Sequence, residues 1–526
     1  MTSPWVWTGP VTFSGAMASS LSSNWWRLLV ALVVGPLFWW VTPPQGHMWL
    51  AFFLWIPLFI GLDGLHPRAA FKLGWLSGGL TNAVGFVWLV DTIVLFSNMP
   101  SVVGWGVLFL FGLWQGIQWA IWAGWLAYTN SERSPAWPLQ AGLVFAALEW
   151  GFPQLFPYAM GATQFRNLPL IQLSSVTGVA GVTALLITVN ATLYDDLSRL
   201  RNHLPWRWQR DLALLSVGVA ILGWGHHRVE ELHQHLAEAT TFKVGLVQQN
   251  LSIAERRAMS FEANFELLED VTAELVAKNK VDLVVWAKGA SPYSPEGREP
   301  ARLPAYARRL GVPLVAGAGS WRTMGGILKG LNTVYFFDKK GRQVDVYAKL
   351  IPLPFGEYIP FADTFPFLKT VIQGPGDFSA GVRPVVFRDP EKVLPPFSML
   401  ICYEAILSSL PWRFAGTELF LNVTNDAWFG DTAAPWQHFM LSAIRAVEHG
   451  IPLVRVANTG TSGVVDITGR IRGQTPVFQR TTTAEDVPRY TVPTVYHQLR
   501  DWFPTLGLAI LLLTSVGRWR AGEATR

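Results

Sequence analysis

Hydrophobic residues are concentrated in two parts of the chain. Long apolar stretches fill residues 25–225 and recur at 503–516, whereas residues 241–495 have the mixed composition, glycines and prolines of a globular domain. A hydrocarbon core about 30 Å thick needs about 20 helical residues, so the pattern predicts a membrane α-helical bundle of about eight spans. The candidate spans are 26–42, 48–64, 72–96, 102–127, 137–152, 170–194, 211–225 and 502–517.

Composition supports a membrane location. Hydrophobic residues make up 50% of the chain and charged residues 15%, where soluble domains carry about 25% charged residues. The 27 tryptophans suit the membrane interface, which accommodates both an apolar ring and a polar N–H group. The net charge of +5 is modest, and the basic residues lie beside apolar segments without aromatic interleaving, so no nucleic-acid partner is expected.

Lysine and arginine positions predict the orientation of the bundle. Alternate loops are basic, whereas loops 42–47 and 97–101 have no basic residue and loop 153–167 has only Arg166. The basic loops and the tail carry Arg68, Lys72, Arg133, Arg199, Arg201, Arg207, Arg210, Arg518, Arg520 and Arg526. Basic loops stay in the cytoplasm, so both termini are predicted there and residues 241–495 outside. Residues 1–24 lack a charged region before an apolar core, so no cleavable signal peptide is predicted and the first apolar segment, 26–42, is expected to serve as an uncleaved anchor.

Residues 241–495 alternate between strand and helix patterns. Strands are predicted at 241–248, 282–286, 312–316, 397–402, 419–424, 453–457 and 462–467, with a hairpin formed by 332–338 and 343–349 that turns at 340–341. Helices are predicted at 261–280, 304–310 and 436–448. This order predicts an α/β sandwich. The predicted domains are 1–228 (about seven spans), 241–495, and 502–526 (the last span and its tail).

Cys402, the only cysteine in 526 residues, lies at the end of an apolar run with strand character. The carboxyl end of a buried strand holds a side chain rigidly at the sheet edge, where α/β enzymes place their chemistry. Cys402 is therefore a candidate nucleophile. The alternative is an inert buried thiol, because free cysteine is among the most buried residue types.

Three other stretches carry a specific resemblance. They are Y-A-K-L-I-P-L-P-F-G-E-Y-I-P at 347–360, N-V-T-N-D-A-W-F-G-D-T-A-A-P-W-Q-H at 422–438 and R-A-V-E-H-G-I-P-L-V-R-V-A-N-T-G at 445–460. Together with C-Y-E at 402–404, they resemble the nitrilase (carbon-nitrogen hydrolase) superfamily and, within it, the apolipoprotein N-acyltransferase family. The resemblance covers nearly the whole chain and implies a nitrilase-like α-β-β-α sandwich domain facing the periplasm of a bacterial inner membrane.

The resemblance also implies roles for individual residues. Cys402 would attack a phospholipid acyl ester and form a thioester, and the α-amine of a diacylglyceryl-modified lipoprotein would then take the acyl chain. Lys349 would stabilise the oxyanion of each tetrahedral intermediate. Glu357, Tyr403 and Glu404 would support the site. We expect no cofactor or metal, since His438 and His449 lack further ligands, and we expect a monomer.

The chain departs from the family at one position. The family places its general-base glutamate in the pattern W-P-E, whereas residues 286–288 here read W-A-K, so Lys288 stands at the base position. Glu296 and Glu299 lie further along in a different register. A lost general base typically costs about 10²- to 10⁴-fold in rate. Two lysines near one thiol would nevertheless favour the thiolate, and their repulsion could leave one lysine neutral.

Three functions therefore remain open. The first is an N-acyltransferase in which Lys288 either is tolerated or impairs turnover. The second is a catalytically inactive paralogue that binds lipid or lipoprotein. The third is an amide hydrolase of the same superfamily fused to a membrane anchor, for which eight spans are excessive.

Overall fold

The computed structural model describes residues 25–97, 99–129, 134–297, 299–324, 327–372 and 376–524. Residues 1–24, in which no signal peptide was predicted, and the basic residues Arg133 and Arg526 lie outside this part of the chain.

The first part of the described chain is helical, as its long apolar stretches predict. The α-helices are α1 (Trp25–Leu32), α2 (Val34–Val41), α3 (Ile56–Leu62), α4 (Pro67–Gly85), α5 (Trp88–Ser97), α6 (Ser101–Thr129), α7 (Trp137–Gly151), α8 (Leu168–Ile171), α9 (Ser174–Thr177), α10 (Val179–Arg201) and α11 (Trp208–Glu238). Short 3-10 helices cover Met48–Phe52 and Met160–Gln164. The chain returns to this bundle at its end, where α17 (Val495–Leu499) leads into α18 (Trp502–Ala524), which packs against α7.

Helix length distinguishes the candidate spans. Within the described residues, α6 and α11 have the length and hydropathy needed to cross a membrane, and the number rises to four if two bent helix pairs each count as one span. The shorter segments Trp25–Val41 and Met48–Leu62 are also apolar. A total of about eight spans therefore stays a prediction.

Two of the candidate spans, 72–96 and 170–194, coincide with bent helix pairs. The first pair, α4 and α5, bends by 55°, and the second, α8–α9 and α10, bends by 119°. At the second bend Gly178 has a φ of +68°, in the left-handed region that glycine adopts without steric cost. A side chain there would also meet the ring of Tyr496, since a Cβ atom would lie 2.5 Å from it. Both bends occur where the bundle meets the α/β domain.

The strands of the described chain form two six-stranded sheets. They are β1 (Thr241–Gln248), β2 (Leu283–Trp286), β3 (Leu314–Met324), β4 (Ile327–Phe337), β5 (Gln343–Ala348), β6 (Val386–Phe387), β7 (Phe397–Ile401), β8 (Leu419–Thr424), β9 (Leu453–Ala457), β10 (Gly463–Val465), β11 (Ile471–Arg472) and β12 (Thr481–Pro488). The first sheet has the order β12-β1-β2-β3-β4-β5 and the second β11-β10-β9-β8-β7-β6. Each sheet has parallel strands at its centre and antiparallel strands at its edges.

The two sheets pack face to face with helices outside, which agrees with the predicted α-β-β-α sandwich. Phe336 of the first sheet meets Phe397 of the second edge-on, with ring centroids 5.0 Å apart. The outer helices are α12 (Ile253–Ala258), α13 (Phe261–Lys278), α14 (Arg302–Leu310), α15 (Leu368–Val371) and α16 (Ala434–His449). The apolar face of α13 packs on β1, where Gly245 lies so close to Leu275 that a Cβ would be 2.5 Å from it. Burying apolar faces on both sides of each sheet forms one continuous core.

Most predicted strands lie within one or two residues of the observed ones, but the edge strands β6, β11 and β12 were not predicted. The strand predicted at 312–316 continues to Met324, because β4 pairs with β3 along its whole length. The edge strand β12 has no apolar alternation, and eight antiparallel pairs with β1 hold it in place. These differences arise from pairing between strands, which local periodicity does not encode.

Candidate active site

Cys402 lies at the point where β7 ends and a 3-10 helix, Cys402–Ile406, begins. Its φ is +53°, a conformation that costs free energy for a residue with a Cβ and that tends to occur at functional sites. The turn takes the side chain out of the buried strand, yet the residue is only 7% exposed. The predicted placement at the carboxyl end of a buried strand is therefore observed.

Cys402 opens into an apolar cavity that both parts of the chain line. The helical part contributes Phe86, Trp88 and Phe156, and the α/β domain contributes Leu353, Cys402, Tyr403, Ile406, Phe429, Ala434, Gln437, His438 and Leu441. The indole N–H of Trp88 donates to Gln437 Oε1 at 3.0 Å, and Gln437 in turn donates to the carbonyl of Gly85. These bonds tie the bend between α4 and α5 to the wall of the thiol pocket.

Glu357 brings the two lysines of the site together. Lys288 donates to Oε1 of Glu357, and Lys349 donates to Oε2 at 2.6 Å. Asn332 also donates to Oε1, and the backbone N–H of Leu353 donates to Oε2, both at 2.8 Å. Every donor faces a carboxylate oxygen, so the geometry suits the ionised form. Because Leu353 also lines the thiol pocket, this cluster adjoins Cys402.

Electrostatic interactions keep Glu357 and Lys288 charged. Burial opposes ionisation of Glu357, but the ammonium groups of Lys288 and Lys349 outweigh it and lower the pKa of Glu357 to about 2. Burial likewise opposes the charged form of Lys288, but the Glu357 carboxylate and then Cys402 outweigh it, so the pKa of Lys288 is raised. A carboxylate between the two lysines removes the repulsion that would have left one of them neutral. Glu296 and Glu299 are exposed.

Glu404 braces the turn that carries the thiol. Its Oε1 accepts from the hydroxyl of Tyr347 and from the backbone N–H groups of Leu350 and Ile351, at 2.9, 2.7 and 3.1 Å. Its Oε2 accepts from the backbone N–H of Ile401 at 2.7 Å. Burial raises the pKa of Glu404 to about 7, although the charge of Lys349 acts in the opposite direction. Glu404 therefore joins the end of β5 to the end of β7.

Tyr403 faces the helical bundle and lies apart from the lysine cluster. Its hydroxyl donates to the carbonyl of Leu155 at 3.0 Å, and its ring meets Phe156 edge-on. Three of the predicted site residues, Lys288, Lys349 and Glu357, thus form one cluster. Glu404 and Tyr403 hold the turn around Cys402 from opposite sides.

A buried polar network lies behind the thiol. Asp426 lies 3.0 Å from His438 Nδ1 and accepts from Arg455 at 2.8 Å. Arg455 also donates to Asn422, whose amide donates to the carbonyl of Leu400 beside the thiol. Burial opposes ionisation of Asp426, but Arg455 and then His438 lower its pKa to about 2.

His438 faces two acceptors. Since Asp426 is ionised, Nδ1 carries a proton, and Nε2 lies 3.2 Å from the carbonyl of Cys402. Burial and then Arg455 lower the pKa of His438, so the neutral ring is favoured and Nε2 approaches the carbonyl without a proton. The sequence carried a signal for Arg455 that was missed, since a charge inside the apolar strand L-V-R-V-A requires a buried partner.

A second cavity adjoins the first through the shared residues Tyr403, Ile406 and Leu441. It lies between the ends of α7, α10 and α18 and the α/β domain. Its wall includes an ion pair between Arg445 Nη1 and Glu448 Oε2, which are 2.9 Å apart. Glu149, a carboxylate in the helical part, accepts from Met160 N–H and the Thr183 hydroxyl, which favours an interhelical bracing role.

Known proteins resemble this chain over nearly its full length. Residues 12–192 match the family model described as apolipoprotein N-acyltransferase N-terminal domain, and residues 243–495 match carbon-nitrogen hydrolase. The apolipoprotein N-acyltransferase of Geobacter metallireducens is 32% identical, covering 92% of this chain and 94% of its own, and that of Azotobacter vinelandii is 30% identical, covering 93% and 94%.

Among solved structures, an amidase from Nesterenkonia sp. aligns at 21% identity and a TM-score of 0.36, covering 49% of this chain and 93% of the amidase. The sequence matches extend across both the helical part and the α/β domain. The chain therefore belongs to the apolipoprotein N-acyltransferase family.

Proposed function

We propose that this protein transfers a fatty acyl chain from a phospholipid to the N-terminal α-amine of a diacylglyceryl-cysteine lipoprotein through a thioester on Cys402. The observation that carries the proposal is the position of the thiol. Cys402 opens into an apolar cavity built jointly by membrane-type helices and the α/β domain, beside a lysine–glutamate cluster. An enzyme acting on a small soluble amide would not need helices of this kind in the wall of its thiol pocket.

The site offers what acyl transfer needs. A carbonyl carbon attacked by sulfur develops negative charge on its oxygen, and a fixed ammonium group such as Lys349, 1% exposed, stabilises that charge. The apolar cavity suits the acyl chain, whereas the mixed lining of the second cavity suits the glycerol and headgroup end of a phospholipid.

We place this chemistry at the outer face of a bacterial inner membrane, with residues 1–228 and 502–526 in the membrane and 241–495 in the periplasm. The basic loops support this orientation. The bonds from Tyr403 and Gln437 to the bundle support a position of the thiol at the membrane surface, because they join its surroundings to the helical part. Both substrates carry lipid chains and would be presented at that level.

The alternative is a catalytically inactive paralogue that binds lipid or lipoprotein. One observation favours it, namely that a charged lysine, Lys288, occupies the family's base position. The two functions are distinguished by whether phospholipid acylates Cys402. The purified protein is mixed with phospholipid vesicles and its intact mass is measured, with Cys402→Ala as the control.

An acyl adduct on the unaltered protein that is absent from Cys402→Ala supports the transferase. Its transfer to a synthetic diacylglyceryl-cysteine peptide completes the test. An unmodified protein in the same vesicles, when a relative with glutamate at the base position is acylated, would instead support the binding function.

A further inference from the structure

The arrangement around Cys402 leaves few groups able to move a proton. Acyl transfer from an ester to an amine must protonate the departing alcohol oxygen and deprotonate the attacking ammonium group. The family's glutamate would do both, and it is absent here. The group that replaces this glutamate in proton transfer must be one of the titratable groups that surround the thiol in the described chain.

Three of these groups are poorly suited to take a proton. Both oxygens of Glu357 accept two donors each, and both oxygens of Glu404 accept backbone N–H groups, so a proton could join either carboxylate only by displacing a buried donor. His438 lies between Asp426 and the Cys402 carbonyl, and burial and then Arg455 lower its pKa, so its ring resists a further proton.

The two lysines differ in their surroundings. Lys349 is 1% exposed and Lys288 15% exposed, so Lys288 is the more accessible of the pair. Lys288 follows β2 and Lys349 follows β5, which places them at the ends of different strands on opposite oxygens of one carboxylate. An ammonium group has three N–H donors, and Glu357 uses one, so Lys288 retains donors for a substrate.

From this cluster we propose that Lys288 is the proton-transfer residue of the site. Its ammonium group protonates the departing glycerol oxygen, and the resulting neutral amine then accepts a proton from the acceptor's ammonium group. The inference rests on the proposed function and identifies the residue that makes turnover possible without the glutamate.

A lysine can replace the glutamate because both kinds of site hold the same number of transferable protons. A glutamate site begins with a carboxylate and a thiol, which together hold one transferable proton. A lysine site holds the same number when it begins with an ammonium group and a thiolate. The proposed cycle therefore starts from the thiolate of Cys402, next to the cluster in which Glu357 holds Lys288 and Lys349.

The first half-reaction then balances. The thiolate attacks the ester carbon, a C–S bond forms, and the carbonyl electron pair moves to oxygen beside Lys349. The C=O bond re-forms as the bond to the glycerol oxygen breaks. That oxygen keeps the electron pair and takes a proton from Lys288, which leaves a lysophospholipid, a thioester and a neutral amine.

The second half-reaction restores the starting state. Neutral Lys288 takes one proton from the acceptor's ammonium group, and the freed nitrogen attacks the thioester carbon. The C–S bond breaks with its electron pair on sulfur, which regenerates the thiolate. The nitrogen's second proton passes to water as the amide forms, so the overall reaction releases one proton.

The test uses Lys288→Arg, which keeps the positive charge but does not release a proton near neutral pH. Two donors are compared on the full-length protein in detergent, namely a phospholipid and p-nitrophenyl palmitate, whose phenolate leaves without a proton. Alkylation of Cys402 by iodoacetamide reports the thiolate and an intact fold. Lys278→Arg, on an exposed helix position 66% accessible, is the matched control.

We expect Lys288→Arg to form the thioester from phospholipid about 10²-fold or more slowly, with alkylation and acylation by p-nitrophenyl palmitate nearly unchanged. Transfer from the loaded variant to a diacylglyceryl-cysteine peptide should fall by a similar factor. Equal losses with both donors, or no loss with phospholipid, would overturn the role of Lys288. Failure of both donors to acylate the unaltered protein would instead refute the proposed transferase function itself.

Discussion

Lys288 and Glu357, 69 residues apart in sequence, form an ion pair next to the thiol pocket. Glu357 holds Lys349 on its other oxygen, so one carboxylate neutralises part of the charge of two buried ammonium groups. Removing the carboxylate would leave both cations without a partner. The consequences for stability and for acyl transfer can be measured separately.

Glu357→Gln should destabilise the protein in a pH-dependent way. The pKa of Glu357 is lowered to about 2, so its stabilising contribution is present above its usual pKa of about 4.3 and is lost as pH falls through about 2. The depression corresponds to about 3 kcal/mol. Thermal unfolding in detergent from about pH 7 to about pH 3 should therefore show a shallower loss of stability for Glu357→Gln than for the unaltered protein.

Glu274→Gln provides the control for that experiment. Glu274 pairs with Lys278 on an exposed helix surface and should change the unfolding curve little. Parallel pH profiles for the unaltered protein and Glu357→Gln would contradict the role assigned to the carboxylate.

Lys349→Met should remove most of the thioester chemistry. Lys349 is buried and fixed by Glu357, and losing one preorganised oxyanion partner typically costs about 10²–10³ in rate. The rate of thioester formation on Cys402 is measured by intact mass after mixing with phospholipid vesicles. Lys329→Met, beside the more exposed Asp377, is the control, and equal rates for both variants would exclude an oxyanion role for Lys349.

Arg455→Met should destabilise the fold strongly. Arg455 and Asp426 are both fully buried, so removing the guanidinium leaves a charge inside the core, a change that costs about 3–5 kcal/mol. We expect a large drop in the thermal unfolding temperature. Arg472→Met breaks a more accessible pair with Asp466 and should have a small effect, so a similar drop for both variants would argue against the buried pair as the cause.

Trp88→Ala should alter which acyl chains the thiol pocket accepts. Trp88 packs edge-on against Phe429 and donates to Gln437, so truncation enlarges the pocket and frees a buried acceptor. In competition between straight and branched acyl donors, the fraction of branched chain on Cys402 should rise. Trp150→Ala, which lies in the adjoining cavity, is the control, and an unchanged ratio for Trp88→Ala would place the acyl chain elsewhere.

Several features of the fold were predictable from local pattern. Strands β8 and β9 were predicted to the residue, because each is an apolar run flanked by polar residues and turn residues. The alternation of strands and helices predicted the sandwich. The bends in the membrane part were not predicted, because straight and broken helices have the same apolar sequence pattern.

The candidate site was likewise predictable only in part. Sequence alone identified Cys402, Lys349, Glu357 and the substitution at Lys288, since each occupies a recognisable motif position. It did not show that Glu357 bridges both lysines, nor that Asp426, His438 and Arg455 form one network behind the thiol. Such contacts join residues far apart in the chain, and their distances depend on how the strands are paired.

The sequence by itself determined the division into apolar and mixed halves, the α/β class, the family and the motif residues, because hydrophobic periodicity and short motifs are local properties. Only the tertiary structure decided the charge state and partners of Lys288. Those depend on a carboxylate in a distant loop and on burial of both groups. Local sequence specifies neither the distance between the atoms nor their exclusion from water.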